Sequence, residues 1–351
     1  MNKYFKIVLF LVIGATIASC TKNDSTSTVA LRAYPVQYEA DMDSIDKYID
    51  THYIQSVDND FNIIMAKIPV GGTQQSIRLQ QTYPIKFIEV KNDDHNVNYK
   101  VYYLELREGT SQSTSAVDSV YVSYRGTLLT DVQFDYSETP VWFQLESVVA
   151  GWGEIIPKFK TGTYETAEGP NPTTFANFGA GVMFLPSGLG YYNQIPSASI
   201  PSYSPLIFSF KLKSQRSRDH DRDGILSKDE INPSTAVDVS RKPQDYDSDG
   251  DGTPNYFDID DDNDRYMTKV ELLRPYLRGA NNVLIPNGYF PFNGAAVDNP
   301  LTPNIDETQG IPRKYTGPLN TNNLPTPLPA DFTDPARIRR HLDPTSYPPF
   351  E

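Results

Sequence analysis

Cysteine is nearly missing from this chain of 351 residues, and Cys20 is its only example. An internal disulfide is therefore excluded, because that bond needs two cysteines. Beyond residue 20 no apolar stretch approaches the roughly 20 residues that a helix needs to cross a bilayer. No glycine-rich phosphate loop and no nucleophile elbow is present, so the chemistry of those motifs is excluded. The histidines are scattered without metal-ligand spacing and predict no zinc site: His52, His95, His220 and His341.

The first 20 residues have the pattern of an export signal. Lys3 and Lys6 supply the basic start, the apolar core is Ile7–Ile13, and the segment ends in "IASC". This ending resembles a bacterial lipobox, which implies that Cys20 is lipidated and becomes the mature N-terminus. An ordinary secretory signal with a chance cysteine is the alternative. Thr21 follows the cysteine, and by resemblance to lipoprotein sorting this implies the outer membrane, facing the periplasm or the cell surface.

Charge is unevenly distributed along the chain, whose formal net charge is -13. Residues 219–271 hold 16 acidic and 6 basic side chains, and so carry most of the excess negative charge. Acidic groups repel the phosphates of nucleic acids and attract cations. We therefore expect no nucleic-acid partner and a cation-binding role for this segment.

The chain divides into segments of different composition. They are a signal peptide at residues 1–20, a polar tether at 21–29, an N-terminal helix with strands at 30–104, a strand-rich domain at 105–214, an Asp-rich segment at 219–271 and a Pro-rich tail at 272–351. The tail holds 14 of the 28 prolines, and we expect an extended path for it. Its basic stretch "DPARIRRHL" is interpreted as a solvated helix end, with pairing to the acidic segment as the alternative.

Apolar periodicity predicts one helix near the N-terminus, where Met42, Ile45, Tyr48 and Ile49 recur at helical spacing. His52 follows this helix and is expected at the surface. Runs of β-branched and aromatic residues predict strands at "FNIIMAKI", "YPIKFIEV", "YKVYYLELREG", "SVYVSYRGTLL", "VWFQL" and "PLIFSFKLKS".

Five motifs follow one another between residues 105 and 214: "VYVSYRGTLL", "VQFDYS", "FQLESVVAGWGEII", "LPSGLGYY" and "IPSYSPLIFSFKL". Together they resemble the FKBP-type peptidyl-prolyl cis-trans isomerases. The resemblance implies an α+β fold, with a twisted antiparallel β-sheet wrapped on a short helix. It also implies an isomerase that assists the folding of exported or outer-membrane proteins. Its clients would be proline-containing polypeptides, and its catalysis would need no cofactor.

The resemblance assigns roles to nine residues. Tyr124 and Phe134 match pocket walls, and Asp135 matches a carboxylate that accepts a hydrogen bond from the Tyr124 hydroxyl. Trp152 matches the pocket floor, and Tyr191 matches the tyrosine whose hydroxyl binds the substrate. The remaining positions of the pocket are Val148, Val149, Ile200 and Phe208.

Several positions depart from the family pattern. Tyr192 stands where a glycine usually follows the pocket tyrosine, and Val141 and Trp142 stand where a wall phenylalanine is common. Residues 163–181 form a longer connection, interpreted as a lid or a client-binding flap. Pro157 removes a backbone donor, which predicts a short or kinked helix. A non-catalytic client-binding module and a calcium-stabilised envelope scaffold are therefore kept as alternatives.

Residues 219–230, "DHDRDGILSKDE", match an EF-hand loop at each diagnostic position. Gly224 takes the sharp turn at position 6, and Ser227 takes position 9. Oxygen donors at alternate residues can wrap a calcium ion, which takes about six to eight ligands. The expected ligands of this loop 1 are Asp219, Asp221, Asp223, the Ile225 carbonyl and Glu230.

Two further loops repeat the pattern, loop 2 at residues 247–258 and loop 3 at residues 260–271. Arg265 replaces the glycine of loop 3, so its turn is expected to be strained or different. The expected ligands are Asp247, Asp249, Asp251 and Asp258 in loop 2, and Asp260, Asp262, Asp264 and Glu271 in loop 3.

The run "DSDGDGTPNYFDIDDDND" resembles thrombospondin type 3 repeats, which implies structural calcium sites of the extracellular kind. Affinity is then expected to be weak, on the order of 0.1–1 mM. We expect calcium to rigidify residues 219–271 and to dock the Pro-rich tail.

Overall fold

A computed structural model of the chain describes residues 31–166, 173–230, 243–274, 277–278, 284–285, 288–292, 310–334 and 337–346. The predicted signal peptide with Cys20 and the tether lie outside these ranges. Within them, no helix combines the length and the apolar character needed to cross a membrane.

A six-stranded antiparallel sheet forms the centre of the fold, with the strand order β3-β4-β9-β10-β5-β6. Strand β4 runs through residues 104 and 105, so the N-terminal strands and the following domain share this sheet. The strand bounds are β3 Ile85–Asn92, β4 Val97–Arg107, β5 Ser119–Leu128, β6 Gln133–Gln144, β9 Gly179–Leu185 and β10 Leu206–Arg216.

One face of the sheet is covered by the N-terminal helix α1, Tyr34–Thr51. Ile45, Tyr48 and Ile49 are buried against residues of β4, β9 and β10, which confirms the helix predicted from their spacing. The chain then forms the hairpin of β1, His52–Val57, and β2, Ile63–Lys67. The prediction that His52 lies at the surface is wrong. Its side chain is buried because its ring stacks on Tyr48 at 3.7 Å.

The other face of the sheet packs on the short helix α2, Ala150–Ile155, which continues as a 3₁₀ turn over Ile156–Lys158. Pro157 lies in that turn, so the predicted shortening of the helix is confirmed. Trp152, Ile155 and Ile156 are buried in the core on this side. The predicted α+β fold, a twisted antiparallel sheet wrapped on a short helix, is therefore confirmed.

The insertion at residues 163–181 contains a small hairpin, with β7 at Thr163–Glu165 and β8 at Thr174–Ala176. The ring of Phe175 lies 5.7 Å from that of Tyr121, on the face of the sheet that carries α1. The described part of the insertion therefore lies on the face opposite to Trp152. This contradicts the interpretation of that part as a lid over the pocket.

The acidic segment and the tail build a third, smaller core. It joins Ile225 of the acidic segment to Leu272 at the start of the tail and to further tail residues, chiefly Phe290, Ile311 and Phe332. The tail also holds the helix α4, Pro329–Thr333, while the helix α3, Thr268–Glu271, closes loop 3. Two very short strands complete the elements: β11, Leu277–Arg278, and β12, Leu284–Ile285.

The basic stretch of the tail is buried rather than solvated. Arg340 is 1% exposed, and its guanidinium donates a hydrogen bond to the carbonyl of Leu273 at 2.8 Å. Its charge also acts on Glu271 and lowers the pKa of that carboxyl against the larger opposing effect of burial. The interpretation as a solvated helix end is therefore wrong, and the alternative of pairing with the acidic segment agrees with these contacts.

Candidate functional site

The predicted pocket residues converge on the indole of Trp152, and we call this group of side chains the aromatic cup. Trp152 is 3% exposed, and three rings meet it edge-on. The ring centroids lie at 5.6 Å for Tyr124, 5.8 Å for Phe143 and 5.3 Å for Phe208. Edge-to-face contact is a favoured arrangement of aromatic rings. The indole is therefore enclosed by these rings, and partly buried side chains pack around the group.

A polar pair lies at the rim of the cup. The Tyr124 hydroxyl donates a hydrogen bond to Asp135 Oδ2 at 2.6 Å. Burial first, and then the Asp135 carboxylate, raise the pKa of Tyr124, so the phenol stays protonated at neutral pH. The same two causes raise the pKa of Tyr191, whose side chain is also half-buried. The rim thus presents one carboxylate and two neutral phenols.

Gly126 makes the wall of the cup possible. A Cβ atom at this position would lie 2.5 Å from the Phe134 ring and 2.9 Å from the Phe208 ring. These two rings meet edge-on at 5.5 Å directly over the glycine. The glycine therefore allows two wall residues from different strands to touch.

Val148 and Val149 connect the end of β6 to α2 and are half-buried against the cup. Val149 is the N-cap of α2, and its carbonyl accepts a hydrogen bond from the Trp152 N–H at 2.9 Å. Among the described residues, no hydrogen bond uses the Val149 N–H. Gly151 packs closely on Leu185 of the sheet, because a Cβ there would lie 2.4 Å from its side chain.

The loop that carries Tyr191 is anchored to helix α1. Asp41 is 1% exposed and accepts hydrogen bonds from the backbone N–H and the hydroxyl of Ser187, at 2.8 and 2.7 Å. The segment at residues 30–104 therefore helps to position the pocket tyrosine.

Tyr192 occupies a backbone conformation that favours glycine, with φ at 52°. Its ring stacks on Tyr34 at 4.0 Å and meets Tyr203 edge-on at 5.0 Å. These contacts hold the left-handed residue in place, so the departure at this position leaves the loop intact.

Phe143 is a cup residue that the sequence reasoning missed. Val141 and Trp142 were expected to replace a wall phenylalanine, but Phe143 supplies that ring. Trp142 pairs with Tyr121 on the opposite face, where their rings stack at 5.1 Å and Trp142 is 45% exposed. Alternate residues of a strand lie on the same face. The series that starts at Asp135 includes Phe143, but the series that starts at Phe134 includes Trp142 instead, because the strand register is irregular just before Asp135.

Ile200 and Phe208 are each 4% exposed and belong to the same buried core as Trp152. A separate cavity of about 520 Å³ lies across β5 and β10 on the opposite face, where Arg125, Ser209 and Lys211 line it. Charged side chains such as Arg125 and Lys211 line this cavity, whereas aromatic rings form the group around Trp152.

The three acidic loops share one set of hydrogen bonds. In each loop the backbone N–H at position 6 donates to the carboxylate at position 1, from Gly224, Gly252 and Arg265 respectively. The N–H at position 2 donates to the side chain at position 9, which is Ser227, Asn255 or Thr268. Arg265 adopts a φ of 79°. It therefore makes the same turn as the glycines, in a conformation that is strained for arginine.

The carboxylates at positions 1, 3 and 5 converge in each loop. One oxygen from each lies within 4.8 Å of the others in three groups. The groups are Asp219, Asp221 and Asp223; Asp247, Asp249 and Asp251; and Asp260, Asp262 and Asp264.

Loops 1 and 3 end in buried glutamates that have no hydrogen-bond partner. Glu230 is 3% exposed and Glu271 is 0% exposed, and both oxygens of each carboxylate are unpartnered among the described residues. Burial, followed by the charges of neighbouring aspartates, raises the pKa of each to about 10. An unpaired buried carboxylate is costly. A bound cation would supply the missing partner in each loop.

Loop 2 is more open. Asp247 and Asp251 are exposed, and the Gly252 N–H is the main cause that lowers the pKa of Asp247. Asp258 at position 12 is partly buried, and burial raises its pKa. The shorter side chain at position 12 and the greater exposure make this the weakest candidate site of the three.

Comparisons with known proteins match two regions of the chain. A family model of the FKBP-type peptidyl-prolyl cis-trans isomerases matches residues 110–213. A second family model, described as BamM C-terminal, matches residues 220–304. The chain therefore carries an FKBP-type domain, followed by a segment similar to the BamM C-terminal family.

Two curated relatives match parts of the chain. A probable FKBP-type 25 kDa peptidyl-prolyl cis-trans isomerase of Pseudomonas aeruginosa is 34% identical over 82 residues, which are 23% of this chain and 36% of that protein. The peptidyl-prolyl cis-trans isomerase Mip of Coxiella burnetii is 37% identical over 76 residues, which are 21% of this chain and 31% of that protein. The chain thus spans about a third of the length of these relatives.

A solved structure of a peptidyl-prolyl cis-trans isomerase from Pseudomonas syringae is also similar, with a TM-score of 0.32 and 18% identity. The alignment covers 52% of this chain and 96% of that chain.

Proposed function

We propose that this chain, through its FKBP-type domain, is an active peptidyl-prolyl cis-trans isomerase. Its substrates would be proline-containing segments of exported or outer-membrane proteins. The observation that carries the proposal is the aromatic cup. It has an indole floor, three rings edge-on to that floor, and a Tyr124–Asp135 hydrogen bond at the rim.

The reaction needs no bond-making group. Rotation about an X–Pro bond faces a barrier of about 18–20 kcal/mol, because the planar amide is stabilised by resonance. Unaided isomerisation takes tens to hundreds of seconds. A site accelerates it when it binds the twisted amide more tightly than the planar one.

The cup supplies interactions suited to the twisted form. The proline ring would pack on Trp152, and the apolar walls would exclude water from the amide. The unused Val149 N–H and the Tyr191 hydroxyl would donate hydrogen bonds to substrate carbonyls. Asp135 would fix the orientation of the Tyr124 hydroxyl at the rim.

The test is a proline-turnover assay with the full chain, together with two matched variants. Tyr124→Phe removes the hydroxyl that bonds Asp135 and should lower the rate. Tyr121→Phe removes a hydroxyl from the opposite face of the same strand and should leave the rate unchanged. A wild-type protein no faster than buffer would reject catalysis. Binding of proline peptides without turnover would favour the client-binding module instead.

A second proposal is that the acidic segment binds calcium through loops 1, 2 and 3, as a structural ion. Its support is the pair of buried and unpartnered carboxylates, Glu230 and Glu271, which face the aspartates of their own loops. Calcium takes oxygen ligands of this kind. Adding a chelator should raise the protease sensitivity of residues 219–271. Cleavage that is indifferent to calcium would overturn this proposal.

We also propose that lipidation of Cys20 anchors the protein at the outer membrane, facing the periplasm or the cell surface. The support is the lipobox-like ending of the first 20 residues. Cys20→Ser should abolish metabolic labelling with palmitate and release the protein from the membrane fraction. Labelling that survives this change would reject the anchor.

A further inference from the structure

The cavity on the face of the sheet that carries α1 has a regular base. Successive side chains of a strand point to opposite faces, so Tyr124 faces the cup whereas Arg125 faces away from it. Three antiparallel residue pairs of β5 and β10 form the base: Ser123 with Lys211, Arg125 with Ser209, and Thr127 with Ile207. These pairs extend for about 13 Å along the strands, which is the length of about four residues of an extended chain.

Two further strands border this base, and we call the space above it the rear groove. The N-terminal hairpin contributes its turn and Ile64 of β2, and the edge strand β6 contributes Tyr136 and Glu138. A smaller cavity of about 140 Å³ shares Ile64 and Arg125 with the cavity of about 520 Å³. The two cavities are therefore parts of one groove, and the larger alone has the size of an ordinary ligand site.

The hairpin is fixed to the base, so the rear groove is already formed. Within the turn, the carboxylate of Asp58 accepts hydrogen bonds from the backbone N–H groups of Asp60 and Asn62, at 2.9 and 2.8 Å. The carboxylate of Asp60 accepts a hydrogen bond from Lys211 Nζ in the base at 2.7 Å. This ion pair ties the border of the groove to its base, and the two charges neutralise each other.

Other polar groups of the rear groove have no partner within the described part of the chain. The guanidinium of Arg125 makes no hydrogen bond and no ion pair there, and the hydroxyls of Ser123 and Ser209 make no hydrogen bond. Among the described strands, β2 pairs only with β1, and β6 pairs only with β5. A strand edge without a partner can bind an added strand, and a guanidinium is suited to bind a carboxylate.

We propose that the rear groove binds an extended polypeptide segment that carries an acidic side chain. The backbone of the segment would add to the unpaired edge of β2, and its carboxylate would bond the Arg125 guanidinium. The mixed lining suits such a ligand, because a strand has a polar backbone and side chains that alternate in direction. Glu138 is exposed at the β6 border, whereas Arg125 belongs to the base, where it is the cation without a partner.

The rear groove is separate from the cup, because the sheet lies between them. Binding there needs no proline and does not depend on catalysis in the cup. Two sites on one domain raise the overall affinity for a long unfolded client whenever its chain reaches both. The groove would therefore hold a client by a segment other than the one that is isomerised.

The test measures the binding of a labelled hexapeptide to the full chain by fluorescence anisotropy. The peptide alternates valine and threonine, carries one central glutamate, has blocked ends and contains no proline. Wild type should bind it, and Arg125→Gln should bind it about tenfold more weakly, because a hydrogen bond between charged groups is lost. Replacing the glutamate of the peptide by glutamine should weaken wild type by the same factor and should not weaken the variant further.

Arg216→Gln is the matched control, because it removes an exposed arginine of β10 from the same face. Its guanidinium lies 4.9 Å from the Trp142 ring and outside the groove. This variant should bind the peptide as wild type does, and both variants should keep the wild-type melting temperature. Equal binding of the glutamate and glutamine peptides to wild type overturns the proposal, whether or not the variants fold. Equal weakening by the two variants also overturns it.

Two measurements on wild type alone test the strand pairing and the location. N-methylation of alternate peptide residues removes the N–H donors from one edge of the strand. One methylated set should therefore abolish binding and the other should preserve it, and equal effects would contradict strand addition. An excess of a proline tetrapeptide should not displace the hexapeptide, since displacement would place the hexapeptide in the cup. Hexapeptide binding without proline turnover would reject catalysis and support the rear groove.

Discussion

The imidazole Nε2 of His220 lies 3.0 Å from Glu146 Oε1, and this contact joins loop 1 to the FKBP-type domain. The same oxygen accepts a hydrogen bond from Arg218 at 2.5 Å. Glu146 belongs to the 3₁₀ turn Leu145–Ser147, directly before Val148 of the cup. The carboxylate therefore ties the first acidic loop to the chain segment that leads into the pocket helix.

Glu146→Ala should uncouple calcium binding from the stability of the FKBP-type domain. Wild type should melt higher in calcium than in chelator, because an ion that binds only the folded state stabilises it. Removing the carboxylate that contacts both Arg218 and His220 costs about 1–3 kcal/mol and should reduce the calcium-induced shift of this domain. Scanning calorimetry with and without calcium gives the measurement. Glu138→Ala, which removes an exposed glutamate of β6, is the control and should keep the full shift.

The two tryptophans provide a matched pair for the cup. Trp152→Leu should lower proline turnover by about tenfold. The lost packing area of roughly 60 Å² corresponds to about 1.5 kcal/mol of transition-state binding. Trp142→Leu, on the opposite face, should leave turnover unchanged. Circular dichroism at the assay temperature would verify that both variants are folded. Equal turnover in the two variants would contradict an indole floor.

Tyr192 allows a test of its left-handed backbone. Tyr192→Ala loses both ring contacts and keeps the strain, whereas Tyr192→Gly loses the contacts and relieves the strain. Both should lower the free energy of unfolding, and the alanine variant should be lower than the glycine variant by about 1 kcal/mol. Denaturant unfolding measures this order. The reverse order would show that the backbone at this position is not left-handed in solution.

His341 should make the tail sensitive to acid. It is 2% exposed, and burial together with the charges of Arg339 and Arg340 lowers its pKa to about 3. The unfolded histidine titrates near 6.5, so its contribution to stability is present above that pH and is lost as the pH falls towards 3. At pH 5 the loss should be about 2 kcal/mol.

The measurement compares wild type with His341→Asn at pH 7 and pH 5, in saturating calcium so that the acidic loops stay occupied. Wild type should lose more stability than the variant over this interval. The same loss in both proteins would assign the acid sensitivity to other groups.

Much of the fold follows from local patterns in the sequence. The spacing of Ile45, Tyr48 and Ile49 predicted α1, and β-branched runs predicted most strands of the sheet. Strand β9 was missed because its glycines resemble a loop. In the structure they make room for neighbours, since a Cβ on Gly181 would lie 2.5 Å from the ring of Phe159.

Some residues of the site could be predicted from local motifs, and others depend on tertiary structure. Motif resemblance placed Tyr124, Asp135 and Trp152 in one cup, but not Phe143. Its inward direction depends on a register irregularity that no spacing rule reveals. Sequence patterns identify residues that act within their own element, whereas Phe143 acts through a tertiary contact with Trp152.

The stacking of Tyr34 on Tyr192 determines where the polypeptide enters its folded body, because Tyr34 begins α1 and Tyr192 follows the pocket tyrosine Tyr191. Any tether that runs from Cys20 therefore ends beside the loop that carries Tyr191. The thirteen residues from 21 to 33 reach at most about 45 Å when fully stretched. Under the proposed lipidation of Cys20, this length sets an upper limit on how far Tyr34 can stand from the bilayer.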